Sequence, residues 1–204
     1  MMRKVSLWVS LMVLGWSSGA GAVPVQWTFA EGGNGHFYEV VDLGTAISWS
    51  DAEESAEGAG GYLATITSAA ENAWVTANLL PLVSGSGGSN RLGPWIGGYQ
   101  DTDSVSYSEP SGGWSWVSGE SWSYTNWGTP AGTNTEPNND PAPENFLHYY
   151  VPGTGDYSGW NDLGDFDVTN LVDSYIIETV PEPSTALLLG LGLAGMAAGR
   201  RRIR

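Results

Sequence analysis

With 22 acidic side chains against seven basic ones in 204 residues, the chain carries a formal net charge of −15 at pH 7. Such a surface repels phosphate backbones and anionic headgroups, which excludes nucleic acid and peripheral membrane binding and leaves hard cations as natural partners. The absence of cysteine removes disulfides, thiolate metal sites and cysteine nucleophiles together.

Residues 1–22 open with Arg3 and Lys4, continue through VSLWVSLMVLGW and close on Ala20, Gly21 and Ala22. Charged, apolar and small-residue regions in that order form the layout of a secretory signal peptide, so export with cleavage near Val23 is expected. GHFYEVVD then alternates as a strand does. In SWSDAEESAEGAGG, Ser48 stands three residues before Asp51, Trp49, Ala52 and Ala56 recur at helical spacing, and glycines follow, which predicts a capped helix. YLATI reads as a short buried strand. SAAENAWVTANLLP predicts a second helix, opened by a Ser68–Glu71 capping box and stopped at Pro81. Ser84 to Asn90 is a Gly/Ser loop, after which PWIGGYQ, GWSWVSG and SYIIE are short aromatic strands between turns. Between the last two lies NTEPNNDPAPENFLHYY, residues 134–150, with prolines at 137, 141 and 143, expected to be too broken for a regular helix or strand. The sum is an α+β domain.

The chain ends in VPEPSTALLLGLGLAGMAAGRRRIR. Its apolar part, 185–199, would reach only about 22 Å as a helix, short of the ~30 Å hydrocarbon core, and four of the last five residues are arginine. Pro181-Glu182-Pro183-Ser184, a short Gly-rich apolar helix and a basic end, in that order, resemble the bacterial PEP-CTERM sorting tail. The resemblance implies cleavage by an exosortase-type membrane enzyme, a Gram-negative host, and delivery to the cell surface or an extracellular matrix. The expected division is therefore signal 1–22, one domain over 23–180 and tail 181–204. Nine of the eleven tryptophans fall in the middle part, enough to build a core. That part holds Arg91 as its one basic residue against 21 acidic ones, a net charge of −20 (1 − 21).

Within 136–144 stand Glu136, Asn138 and Glu144, and WND adds Asn161 and Asp162. Five oxygen-bearing side chains, three of them carboxylates, suit Ca²⁺, which takes roughly 6 to 8 oxygens. A cis Glu136–Pro137 bond is expected to help aim residues 136 and 138 at one ion. His36 and His148 have no visible catalytic partner and read as structural or exposed, and Trp160 reads as core.

The order SWSDAEESAEGAGGYLATITSAAENAWV, WIGG, EPNN, ENF, GWND, YIIE resembles the C-type lectin-like domain across roughly 35–179. The resemblance implies two helices flanking antiparallel strands, with a long loop region that hosts calcium. It also implies that Glu136, Asn138, Glu144, Asn161 and Asp162 ligate a calcium that grips two adjacent hydroxyls of a sugar, the carboxylates accepting and the amides donating hydrogen bonds. The Glu-Pro-Asn order implies mannose- or glucose-type ligands over galactose-type ones. Ala56, Phe146, Asp165 and Ile177 stand at or near the places of the family's usual cysteines. Asn139 and Asn145 replace carboxylates of an auxiliary calcium site, which is not expected here. The expectation is an exported, calcium-dependent carbohydrate- or exopolysaccharide-binding module. The alternative is a lectin-like domain that binds protein or builds matrix without sugar. An enzyme is not expected, because calcium ligation would leave the loop no carboxylate poised as a proton donor, and no Ser-His-Asp arrangement is evident.

Overall fold

The computed structural model describes residues 23–83, 92–128, 136–140, 143–150, 159–165 and 172–181. The expected signal segment, the Ser84–Asn90 loop, Arg91, Pro141 and the tail from Glu182 lie outside the described residues.

Among the described residues, eight strands and two helices make an α+β domain: β1 (Val25–Gln26), β2 (Phe37–Asp42), α1 (Trp49–Gly58), β3 (Tyr62–Leu63), α2 (Ala69–Asn78), β4 (Trp95–Gln100), β5 (Trp114–Trp116), β6 (Phe146–Tyr150), β7 (Gly159–Leu163) and β8 (Ser174–Thr179). The sheet runs β1-β2-β8-β4-β6-β7, with β3 added on β8 and β5 on β4. Every pairing between these strands is antiparallel except β4 with β8, which meet in parallel at Trp95 and Tyr175. The mixed sheet is one refinement of the expected architecture; a second is β6, because the proline-rich 134–150 stretch becomes a regular strand once Pro143 is passed. FLHYY offers branched and aromatic side chains and no further proline, so it can pair on both sides.

Both helices start where their caps stand. Ser48 accepts from Asp51 N at 3.0 Å and Ser68 from Glu71 N at 3.1 Å, each cap worth about 1 kcal/mol. The second capping box closes only halfway. Instead of returning to Ser68, Glu71 accepts from Thr67 N (2.8 Å), Thr67 Oγ1 (2.9 Å) and the Tyr38 hydroxyl (2.5 Å), because it is buried against β2. α2 ends into a short 3-10 turn, Leu80–Leu82, that contains Pro81.

Neighbouring strand residues point to opposite faces, and here both faces are buried. Ile96 and Ile176 belong to the cluster that holds Val75 of α2, whereas Trp95, Tyr175 and Ile177 belong to the one that holds Ala52 and Ala56 of α1. The two indoles at the α1 entry cross-link it to β4, Trp49 Nε1 donating to Ile96 O (2.9 Å) and Trp95 Nε1 to Ile47 O (3.0 Å). Gly97 is required where β4 passes β3, since a Cβ there would meet Leu63 O at 2.3 Å. His36 lies 2.5 Å from the buried carboxylate of Glu178, which also accepts from Tyr38 and Thr65 N, so its role is structural and partly exposed.

The positions to which the resemblance assigns cysteines are filled by packing and by one tether. Ala56 and Ile177 sit in the same apolar cluster, and the Phe146 ring lies 4.6 Å from that of Trp49. Asp165 accepts from Ser50 N through its carboxylate (2.8 Å) and from Trp49 N through its backbone carbonyl (3.1 Å), holding the free N–H groups of the first turn of α1.

Candidate functional site

The site is organised by β7. Its central residues Asn161 and Asp162 stand opposite His148 and Leu147 of β6, one strand in from the sheet edge. Trp160, fully buried, receives Gly128 N on its carbonyl (2.8 Å) and donates its own N–H to Asn126 O (2.7 Å). Gly128 in turn accepts from Glu136 N at 3.1 Å, so the backbone of Glu136 hangs from β7 through one residue. The approach is close: a Cβ on Gly159 would lie 2.5 Å from Gly128 Cα. From the other side, Gln100 N of β4 donates to Asn145 O (2.8 Å) and fixes the residue after Glu144.

Asp162 grips the loop directly. Its carboxylate accepts from Asn138 N at 3.1 Å on both oxygens and from Asn139 N at 3.1 Å. Asn138 Oδ1 accepts from Asp140 N (2.8 Å), Glu144 Oε2 accepts from the same N–H at 3.2 Å, and Asn139 Oδ1 accepts from Glu144 N (2.9 Å). The Glu136–Pro137 peptide is cis, as expected from the sequence, and Asn139 takes a left-handed φ of 55°, tolerable for Asn. These contacts bring Glu136, Asn138, Glu144 and Asp162 into one loop-and-strand cluster, with Asn161 beside Asp162 on β7 and hydrogen-bonded to its carbonyl.

Three carboxylates are buried here: Glu136 and Glu144 are 5% and 6% exposed and Asp162 is fully enclosed. Burial, and then the charge of Asp162, push Glu136 up to about 7; the same two causes push Glu144 up to about 8. Burial raises Asp162 as well, opposed by the N–H groups of Asn139 and Asn138. Glu136 Oε2 is buried without a hydrogen-bond partner. A carboxylate oxygen stripped of water and left unpaired costs free energy that a cation would recover. Among the described residues no three His, Asp or Glu side chains close into a metal cage by themselves. An ion held here would therefore draw on amide and other oxygens as well.

Fold and sequence converge on one family: the sequence matches the C-type lectin domain over residues 45–172, more than half of the chain. The chain is a C-type lectin domain protein. Residues 179–202 match the PEP-CTERM protein-sorting motif, so this lectin-like chain is marked for export and surface association. No curated protein matches it. Among solved structures, the C-type carbohydrate-recognition domain of cow CD23 is similar at 22% identity, over 72% of this chain and 90% of that one, with a TM-score of 0.50. The C-type lectin domain of murine dendritic cell inhibitory receptor 2 is similar at 23% identity over 72% and 91% (TM-score 0.49). A calcium-independent type II antifreeze protein is similar at 22% identity over 79% and 97% (TM-score 0.49). C-type lectin domains are typically binding modules rather than enzymes, and the fold often carries calcium.

Several residues of this C-type lectin site were silent in the sequence. Glu109, far from the EPNN motif, accepts from Asn139 Nδ2 at 2.6 Å and from the Tyr107 hydroxyl, which ties the 101–113 loop to the site. Asn139 thus spends its side chain on protein groups, Glu109 and Glu144 N. His148 is fully buried and contacts Asn161 Nδ2 at 3.1 Å. The same Nδ2 donates to Asp162 O at 2.5 Å. Gly128 and Gly159 carry the loop to β7, and only their neighbours hinted at it: a Gly beside a Trp, twice.

Proposed function

We propose that this chain is an exported, calcium-dependent carbohydrate-binding module that acts at the cell surface or in the extracellular polysaccharide of a Gram-negative bacterium. The observation that carries the reading is the burial of Glu136, Glu144 and Asp162 together, with Glu136 Oε2 unpaired and two asparagine amides alongside. Like charges in one dry site repel, and a divalent cation removes that repulsion. Glu136, Asn138, Glu144, Asn161 and Asp162 would hold the ion. Calcium, when bound, supplies open coordination positions to which two adjacent sugar hydroxyls can bind.

The protein's own share is orientation. Asp162, fixed on β7, holds the 138–139 backbone in place; Glu136 and Glu144 flank it and can accept from hydroxyls; the Asn138 amide can offer a donor on the other side. An asymmetric set of donors and acceptors discriminates between diols, and its order supports mannose- and glucose-type sugars over galactose types. The proposed division is a signal over 1–22, the lectin domain over 23–180 and a tail over 181–204 that an exosortase-type enzyme recognises.

A glycan array probed with the purified chain in calcium, then in chelator, tests this reading. Binding to mannose- or glucose-type glycans that chelator abolishes supports it; binding unaffected by chelator, or none to any glycan, refutes it and favours a protein-interaction or matrix role.

A further inference from the structure

Asn34 is the one asparagine in the chain followed by glycine. Such a pair is chemically labile, because a glycine amide, with no Cβ beside it, closes readily on the carbon of the preceding side-chain amide. The fold nevertheless demands both residues. Gly35 has a left-handed φ of +81°, and a Cβ on it would lie 2.7 Å from Phe29 Cζ. Asn34 spends its whole side chain on protein groups: Oδ1 accepts from His36 N (2.9 Å), and Nδ2 donates to the Tyr38 hydroxyl (2.8 Å) and to Glu71 Oε1 (3.3 Å). A backbone N–H only donates, so the atom facing His36 N is the oxygen and the amide has one orientation.

Beneath that amide lie buried groups. The Tyr38 hydroxyl stands 2.5 Å from Glu71 Oε1 and 3.1 Å from Glu178 Oε1, and all three residues are enclosed. The turn between β1 and β2 also occupies the backbone around Gly35. Gly35 N donates to Trp27 O (2.9 Å), Trp27 N to His36 O (3.0 Å) and Gln26 Nε2 to Gly35 O (2.9 Å).

We propose that Asn34–Gly35 is a modification site gated by folding: it is protected while the β1–β2 turn is closed, deamidates when the turn opens, and yields a product that no longer fits the Tyr38–Glu71–Glu178 cluster. In the open chain Gly35 N attacks Asn34 Cγ. The N–Cγ bond forms, the Cγ–Nδ2 bond breaks, and the side-chain nitrogen leaves as ammonia with the proton from Gly35. Water then opens the cyclic imide at either carbonyl to give aspartate or isoaspartate, so water is consumed, ammonia is released and nothing is oxidised. In the closed chain Gly35 N–H is spent on Trp27 O, and Cγ is pinned by the hydrogen bonds of its own amide. Ionised aspartate offers only acceptors, so Tyr38 loses a donor and a further carboxylate meets Glu71 and Glu178 in a dry site. Isoaspartate adds a carbon to the backbone and displaces the acceptor of His36 N. Either product loosens the point where Glu71 of α2 meets β2. None of these residues belongs to the proposed calcium site, so the modification does not depend on that reading.

The test incubates the full chain at mildly alkaline pH, in buffer and in urea, and follows residue 34 by peptide mass mapping. Deamidation there should be at least about tenfold faster in urea, because the folded chain reacts only through its open fraction. Asn34→Asp should melt at least about 5 °C below Asn34→Ser, which keeps an acceptor for His36 N and adds no charge. Equal deamidation in buffer and urea, or an Asn34→Asp chain as stable as Asn34→Ser, overturns the proposal. Should both variants fail to fold, the unaltered chain still decides: after urea is removed, the refolded fraction should be depleted of the modified form, and equal modification in refolded and aggregated fractions refutes the site's coupling to the fold.

Discussion

Acidification should release calcium from this domain, and the loss can be worked from the two glutamates. Calcium takes them as carboxylates, whereas without the ion burial and the Asp162 charge place Glu136 at about 7 and Glu144 at about 8. At pH 8 roughly nine-tenths of the first and half of the second are ionised; at pH 6 roughly a tenth and a hundredth are, so affinity should fall several hundredfold between the two. The stability of the calcium-free chain runs the other way. Both pKa values are raised above the model-peptide value of 4.5, so their contribution is fully present below that pH and is lost as pH rises through 7 and 8.

Melting curves at pH 5.5 and 8.5, with and without calcium, read both effects. The calcium-free midpoint should be lower at 8.5, while the calcium increment should be near zero at 5.5. At 8.5 and a hundredfold excess over Kd, binding adds about 2.7 kcal/mol, or roughly 5–10 °C for a domain of this size. His36, raised by its contact with Glu178, also loses stability as pH rises, as do the burial-raised Glu39, Glu53 and Glu178, so the calcium-free curve mixes several sources. The increment does not, because His36 bonds to none of the proposed ligands. A calcium affinity that is flat from pH 6 to 8 would refute the reasoning.

Asp162→Asn removes one of three carboxylates and turns an amide toward N–H groups that now meet oxygen, so calorimetry should find calcium affinity down at least a hundredfold. Denaturation should find the calcium-free chain weaker by about 1–3 kcal/mol, because the carboxylate holds the Asn138 and Asn139 backbone without any ion; unchanged affinity would remove Asp162 from the ligand set. Asn72→Leu leaves the Tyr149 hydroxyl and Trp160 Nε1 without their shared acceptor, Oδ1 at 3.0 and 3.2 Å, and should cost roughly 2–4 kcal/mol in urea denaturation, with no change meaning that water or another group replaces it. Glu136→Gln with Asn138→Asp conserves the summed ligand charge and should retain calcium while weakening mannose-type binding. Competition by free sugars checks it, and galactose outcompeting mannose for the unaltered chain would show that this motif does not set selectivity.

Elements set by local chemistry were legible in the sequence. Ser48 and Ser68 announced both helices because a cap needs only the hydroxyl and the N–H three residues on, and WIGG and YIIE announced short strands. What sequence could not supply was the third dimension of polar groups. Glu71 satisfies the capping-box pattern and yet bonds to Thr67 and Tyr38, because its neighbours on β2 were not visible as neighbours. The proline-rich stretch read as irregular to its end, since nothing local reveals that 146–150 has partners on both sides. At the candidate site, EPNN, Glu144 and WND supplied the residues proposed as ligands, whereas Glu109 and His148, distant in sequence or generic in type, enter only through their contacts with Asn139 and Asn161.

The same contrast explains how the chain does without its family's cysteines. A disulfide would act mainly on the unfolded chain, whereas the contacts found here act on the folded one. Ala56 and Ile177 lie in the same apolar cluster, and Asp165 holds the start of α1 by two hydrogen bonds across more than a hundred residues of sequence. Asp165 lies three residues beyond Asp162, on the chain leaving β7, so the anchor of α1 and the grip on the 138–139 loop belong to one short segment. Replacing Asp162 would release the 138–139 backbone, and replacing Asp165 would release the Ser50 N–H at the start of α1. An ion at Asp162 would stabilise the segment that also carries the anchor of α1, so cation binding, if calorimetry finds it, should raise fold stability as well as serve ligand recognition.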